Sequence, residues 1–141
     1  MIYEVRTYNL KPRSMPHFEE AFGKAFPHRV KYSKLAAFWR TEFGPLNQVI
    51  HVWPCESMEE RNRIRAEAAK DPNWPPARDP AMFLSQETEI FIPASLMRPM
   101  GDDQALGNFY EMRIYTYATG SMPKVIEAWE AALPYRETPS G

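Results

Sequence analysis

The chain is expected to fold as an α+β domain with the element order βαββαβ, a four-stranded antiparallel sheet carrying two helices on one face. Three observations lead there. The first residues alternate between apolar and charged types, the next segment repeats its aromatic residues at helical spacing, and two aromatic-rich runs flank a Gly-Pro-Leu-Asn turn.

Ile2 to Leu10 alternate through Tyr and Val with charged neighbours, as a strand with two unlike faces does. Glu4, Arg6 and Tyr8 share one of those faces. After a turn over Lys11 to Arg13, Ser14 is positioned as an N-cap, and Phe18, Ala21, Phe22, Ala25 and Phe26 fall on one helical stripe. The helix is expected to close before Pro27 or shortly after it.

Ala36 to Phe43 and Gln48 to Pro54 return to β-branched and aromatic residues around Gly44-Pro45-Leu46-Asn47, a hairpin. Ser57 with Glu60 three residues later forms a capping box, which opens a charged helix to about Lys70. Glu59, Arg61, Arg63 and Glu67 are assigned to its solvated side. Asp71-Pro72 stops that helix, and the proline-rich stretch from Asn73 to Pro80 leaves room for at most a short helical turn before Phe83. A last strand over about Glu87 to Ile92 completes the split βαβ, or ferredoxin-like, order.

Composition narrows the function classes. A hydrophobic fraction of 44% and a charged fraction of 25% are globular values. With 17 basic and 18 acidic residues the chain has no basic excess to attract nucleic acid. No run approaches the ~20 apolar residues of a membrane helix, and the N-terminal residues read as a strand and not as a signal peptide. Cys55 is the only cysteine, so packing alone must hold the fold, which fits a reducing, cytoplasmic setting.

Sliding the chain along itself gives a gap-free match at an offset of 107 residues. Tyr3, Glu4, Arg6 and Tyr8 recur as Tyr110, Glu111, Arg113 and Tyr115; Ser14, Met15 and Pro16 recur as Ser121, Met122 and Pro123. Glu20, Ala21, Ala25, Pro27 and Arg29 return as Glu127, Ala128, Ala132, Pro134 and Arg136, making 12 identities over the 27 positions from Tyr3 to Arg29. Chance would supply roughly two. The expected organisation is one domain over residues 1–93, a linker over 94–107, and the start of a second copy, strand Phe109 to Tyr117 plus helix Ser121 to Leu133, over 108–141.

The motifs YEVRTY near the start and FWRTEFGPLNQVIHVW across the hairpin closely resemble the NIPSNAP family pattern over Met1 to Ile92, and the YEMRIY copy fits the tandem arrangement of its longer members. The resemblance implies a dimeric α+β barrel, two such sheets packed face to face. The superfamily it points to also contains cofactor-free monooxygenases, haem-degrading enzymes and haem peroxidases, so the fold permits catalysis without requiring it. In eukaryotes the family is associated with mitochondria, vesicle traffic and autophagy-receptor binding.

A sheet with apolar residues on both sides needs a cover for the side without helices, and a homodimer through the first repeats is the expected one. Alternation places Asn47, Val49, His51 and Trp53 on one side of the third strand, and Phe38, Arg40 and Glu42 on one side of the second. If the face bearing Glu4, Arg6 and Tyr8 points into the barrel, these groups meet beneath the partner sheet. Glu4, Arg6, Tyr8, Asn47 and Trp53 are then ligand-binding candidates, and Glu42 and His51 candidates for moving a proton. Duplication of Glu4 and Arg6 favours a binding or scaffold module; a small-molecule enzyme, monooxygenase-like or haem-related, is the alternative. His17, His28 and His51 are dispersed and no metal-ligand spacing, nucleotide loop or nucleophile elbow occurs, so neither metal nor cofactor is expected.

Overall fold

The computed structural model describes residues 1–77, 79–101 and 107–137. It divides into two compact units, Met1–Pro93 with Pro99–Asp102 and Ala94–Arg98 with Asp103–Gly141. In the first unit β1 (Ile2–Leu10), α1 (Met15–Arg29), β2 (Ala37–Arg40), β3 (Gln48–Cys55), α2 (Met58–Ala68) and β4 (Phe83–Phe91) follow the βαββαβ order. The four strands form one antiparallel sheet in the order β2-β3-β1-β4.

Local chemistry accounts for most element ends. Ser14 occupies the N-cap of α1 but its side chain makes no capping bond. The helix passes through Pro27 and ends at Arg29, with His28 and Arg29 at its negative end. Its buried residues are Phe18, Phe22, Ala25 and Arg29, so the stripe that begins as aromatic finishes with a guanidinium. In α2 the Glu60 N–H donates to Ser57 Oγ at 3.2 Å, while the Glu60 carboxylate accepts from the Glu56 N–H at 2.6 Å, one residue earlier than in the standard box.

Two strands differ from expectation. β2 stops at Arg40, opposite Val49, and Gln48 N–H closes the ladder on Thr41 Oγ1; the turn that follows places Gly44 (φ +74°) and Asn47 (φ +58°) in the left-handed region. β4 begins at Phe83, four residues before the expected start: regular pairing with β1 reaches back to Ser85, and past a register irregularity at Asn9/Leu10 Phe83 pairs with Leu10. The expected short turn before it is a 3₁₀ turn, Pro80–Met82.

The face of β1 with Tyr8 and Leu10 packs with Val49 and Trp53 of β3 against Phe18 and Phe22 of α1. The rings meet mostly edge to face, as between Tyr8 and Phe18 at 5.9 Å and between Tyr8 and Phe83 at 5.7 Å. Tyr3, Val5 and Val52 are buried on the opposite face, bordered by half-buried Ala37, Trp39 and Ile50. Glu4, Arg6 and Tyr8 therefore lie on the helix-covered side. Of the two faces that alternation leaves open, this is the one packed against the helices, since Tyr8 is the ring that completes the core against α1.

The second unit contains α3 (Met122–Glu137), which runs past the Leu133 expected for its end. Residues 109–117, expected as a strand, pair with no other strand among the described residues. The expected linker lies partly, at 102–106, outside the described residues.

Candidate functional site

Register decides which side chains meet. Phe38, His51, Arg6 and Thr88 stand in one row across the sheet, and Trp53, Glu4 and Ile90 stand in the next. Above them lies a partly open cleft of about 190 Å³, walled by the sheet below, by Phe22 and Arg29 of α1, by Arg65 of α2, and by Trp74 and two prolines of the connecting segment.

Glu4, only 1% exposed, anchors one end of the cleft. Its Oε1 accepts from Arg6 Nη1 at 2.8 Å, Arg61 Nη2 at 2.7 Å and Arg65 Nη1 at 3.4 Å. Burial pushes the carboxyl up, but the hydrogen bonds from Arg61 and Arg6, with their charges, outweigh it and hold Glu4 below its ordinary value. Arg6 also donates through Nε to Tyr8 Oη at 2.9 Å, which fixes the phenol.

Arg29, 5% exposed, also lines the cleft. Its guanidinium carbon sits 4.1 Å from the Trp53 ring centroid and 5.9 Å from that of Trp74, and Nη1 donates to Ser33 Oγ at 2.7 Å. Among the described residues no carboxylate comes within ion-pair distance of it. Burial pulls its pKa down to about 10, opposed by the charge of Glu4, so it stays charged at neutral pH. One carboxylate, Glu4, and three arginines, Arg6, Arg29 and Arg65, line the cleft and give it an excess of positive charge.

His51 is 3% exposed and its Nδ1 accepts from Trp53 Nε1–H at 2.6 Å. That bond makes Nδ1 an acceptor, so the neutral ring carries its proton on Nε2. Its imidazole packs edge-on against Tyr8, with centroids 4.9 Å apart. The arrangement can bind an anion through Arg29 and Arg65 and surround the rest of the molecule with rings.

Of the residues singled out from sequence, Glu4, Arg6, Tyr8, His51 and Trp53 line the cleft. Glu42 does not reach it: β2 has already ended, and the carboxylate is exposed and 3.2 Å from Arg40. Asn47 closes the hairpin in a left-handed conformation and its carbonyl accepts from Leu10 N–H at 2.9 Å, far in function from the cleft wall. Arg61 does not belong to the solvated side of α2; its side chain is 19% exposed and turned to Glu4, whereas Arg63 stays outside with Glu67.

Sequence reasoning passed over Arg29, Arg65 and Trp74. For Arg29 two signals existed: it continues the Phe18, Phe22, Ala25 stripe, and it is an identity of the repeat, returning as Arg136. For Arg65 the signal was its spacing of four from Arg61. Trp74, in a proline-rich segment, had none.

The family model described as NIPSNAP matches residues 3–98. The chain belongs to the NIPSNAP family. A NipSnap homolog of Dictyostelium discoideum is 38% identical over 97 residues, covering 67% of this chain and 44% of that protein. Human NipSnap homolog 3B is 32% identical over 137 residues, 93% of this chain and 54% of its own length. The chain thus spans about half the length of these curated relatives. Among solved structures, a NIPSNAP family protein of Agrobacterium tumefaciens superposes with a TM-score of 0.63 at 29% identity, covering 68% of this chain and 96% of that one.

In the second unit of this NIPSNAP chain the repeated residues keep part of the same geometry. Arg113 Nη2 lies 2.8 Å from Glu111 Oε2, as Arg6 lies from Glu4, and Arg136 stands 5.5 Å over the Trp129 ring. No helix of the described residues is long and apolar enough to cross a membrane, and no group of three or more His, Cys, Asp or Glu among them could hold a metal ion.

Proposed function

We propose that the first unit is a non-catalytic binding module that takes a small organic anion in the cleft between its sheet and helices. The observation that carries this reading is Arg29: buried, charged, flanked by two indoles, and open to the cleft with no carboxylate of the described residues within ion-pair distance. A buried cation without an ionic partner is costly unless a ligand supplies the charge. Glu4 cannot play that part, because Arg6, Arg61 and Arg65 already engage it.

Proton transfer is left out of the reading. His51 engages its Nδ1 lone pair with the Trp53 N–H, which favours a structural role for the imidazole over that of a base. Glu42 lies outside the site.

The test is ligand-linked stabilisation of the whole chain by simple carboxylates, read as a rise in Tm with concentration. Arg29→Gln should abolish the rise. If the wild-type protein and the variant respond alike, the anion does not bind at Arg29 and the reading is wrong.

The module assembles, on this reading, as a homodimer through the sheet face opposite the helices, where Trp39 and Ile50 form a half-exposed apolar pair. The repeat of residues 3–29 at 110–136 is read as the start of a second such domain. A cytoplasmic setting fits a sequence with the single cysteine Cys55, whose buried thiol is pushed up in pKa by that burial and so is poorly reactive.

A further inference from the structure

We propose that the cleft selects a single-ring aromatic carboxylate, and that Trp74 is the residue that sets this preference. The inference rests on the reading that the cleft binds a small anion and goes on to say which one.

The walls beyond the arginines are rings. Trp74 stands edge-on to Phe22 at 5.8 Å and 79°, and to Trp53 at 6.5 Å and 72°. Tyr8 and His51 meet at 88° on the sheet below. Rings set perpendicular to one another around the cleft offer both faces and edges among their surfaces, the arrangement that receives another flat ring edge to face. Ala68, Ala69, Pro75 and Pro76 complete the lining without adding a hydrogen-bond donor on a side chain.

Charge and size act together. Arg29 and Arg65 supply guanidinium donors for a carboxylate. An inorganic anion would satisfy the arginines and leave the aromatic walls in contact with water. At about 190 Å³ the space falls below the ~300–1,000 Å³ of pockets for drug-sized ligands and suits one ring with its carboxylate better than a nucleotide or a fused polycycle.

Trp74 is held for this task. Its backbone N–H donates to the Asp71 carbonyl at 3.0 Å, and Asp71 Oδ1 in turn accepts from the Asn73 backbone N–H at 2.9 Å, so the segment that carries the indole is fixed at its start. Removing the indole takes away one wall and leaves Arg29 with its contact to Trp53.

The experiment compares benzoate, cyclohexanecarboxylate, acetate and inorganic phosphate by calorimetric titration of the whole chain, in the wild type, Trp74→Ala, Trp74→Phe and Arg29→Gln. Expected are benzoate binding at least about tenfold tighter than acetate and cyclohexanecarboxylate, a roughly tenfold loss for benzoate alone in Trp74→Ala, and recovery in Trp74→Phe. Equal affinity for benzoate, cyclohexanecarboxylate and acetate, all lost in Arg29→Gln, overturns the aromatic preference and leaves the anion reading standing. No binding of any of the four anions to the wild type overturns both. Should Trp74→Ala not fold, the benzoate to cyclohexanecarboxylate ratio in the wild type decides.

Discussion

Glu4 shows how a single residue can join a sheet to a helix. Its carboxylate receives Arg6 from its own strand and Arg61 and Arg65 from α2, and its side chain is 2% exposed. Glu4→Gln removes the charge while three guanidinium groups remain, and should cost about 3 kcal/mol in urea denaturation at pH 7. The pH dependence has a definite sign. Because the folded pKa is depressed, the stabilisation is complete above the ordinary value of 4.5 and drains away as pH falls through the lower folded value. The variant should lack that acid-side loss; an unchanged acid limb would assign the loss to other carboxylates. Alternation alone showed that Glu4, Arg6 and Tyr8 share a face. It could not show which face, because either side of this strand offers apolar residues to a core.

At the scale of elements, α2 depends on its first turn. Ser57 accepts from Glu60 N–H, and the helix so begun carries Arg61 and Arg65 at the spacing that brings both to Glu4. Ser57→Ala should lower stability by about 1 kcal/mol and speed hydrogen exchange of the first-turn amides of α2. Exchange that is faster everywhere by one factor would mean that the cap serves the whole fold and not this helix. The capping box was readable because it is a local pattern of side chain and backbone. The buried side of α2 was not, since a helix with arginine on both faces has almost no apolar stripe to mark its core side. β2 is a related case: its sequence stays aromatic to Phe43, but the ladder ends at Arg40, where the hairpin turn takes the chain away from β3.

For the molecule as a whole, the proposed homodimer rests on the sheet face opposite the helices. Trp39 and Ile50 are direct partners across β2 and β3 there. Sedimentation at micromolar concentration should find the chain dimeric, and Ile50→Glu should shift it to monomer with its far-ultraviolet circular dichroism unchanged. A wild-type protein that stays monomeric over the whole concentration range would remove the homodimer from the proposal. The same test leaves the cleft untouched, because its residues belong to the other face of the sheet.

The sequence by itself determined the element order, the two hairpin strands, the cap of α2 and the family, since each is written in short-range patterns or in motif identity. Only the tertiary structure decided that Glu4, Arg6 and His51 look toward the helices, that Arg29 and Trp74 join them, and that Glu42 and Asn47 do not. Those facts depend on strand register and on where α1 and α2 cross the sheet, and both are set by packing between residues dozens of positions apart.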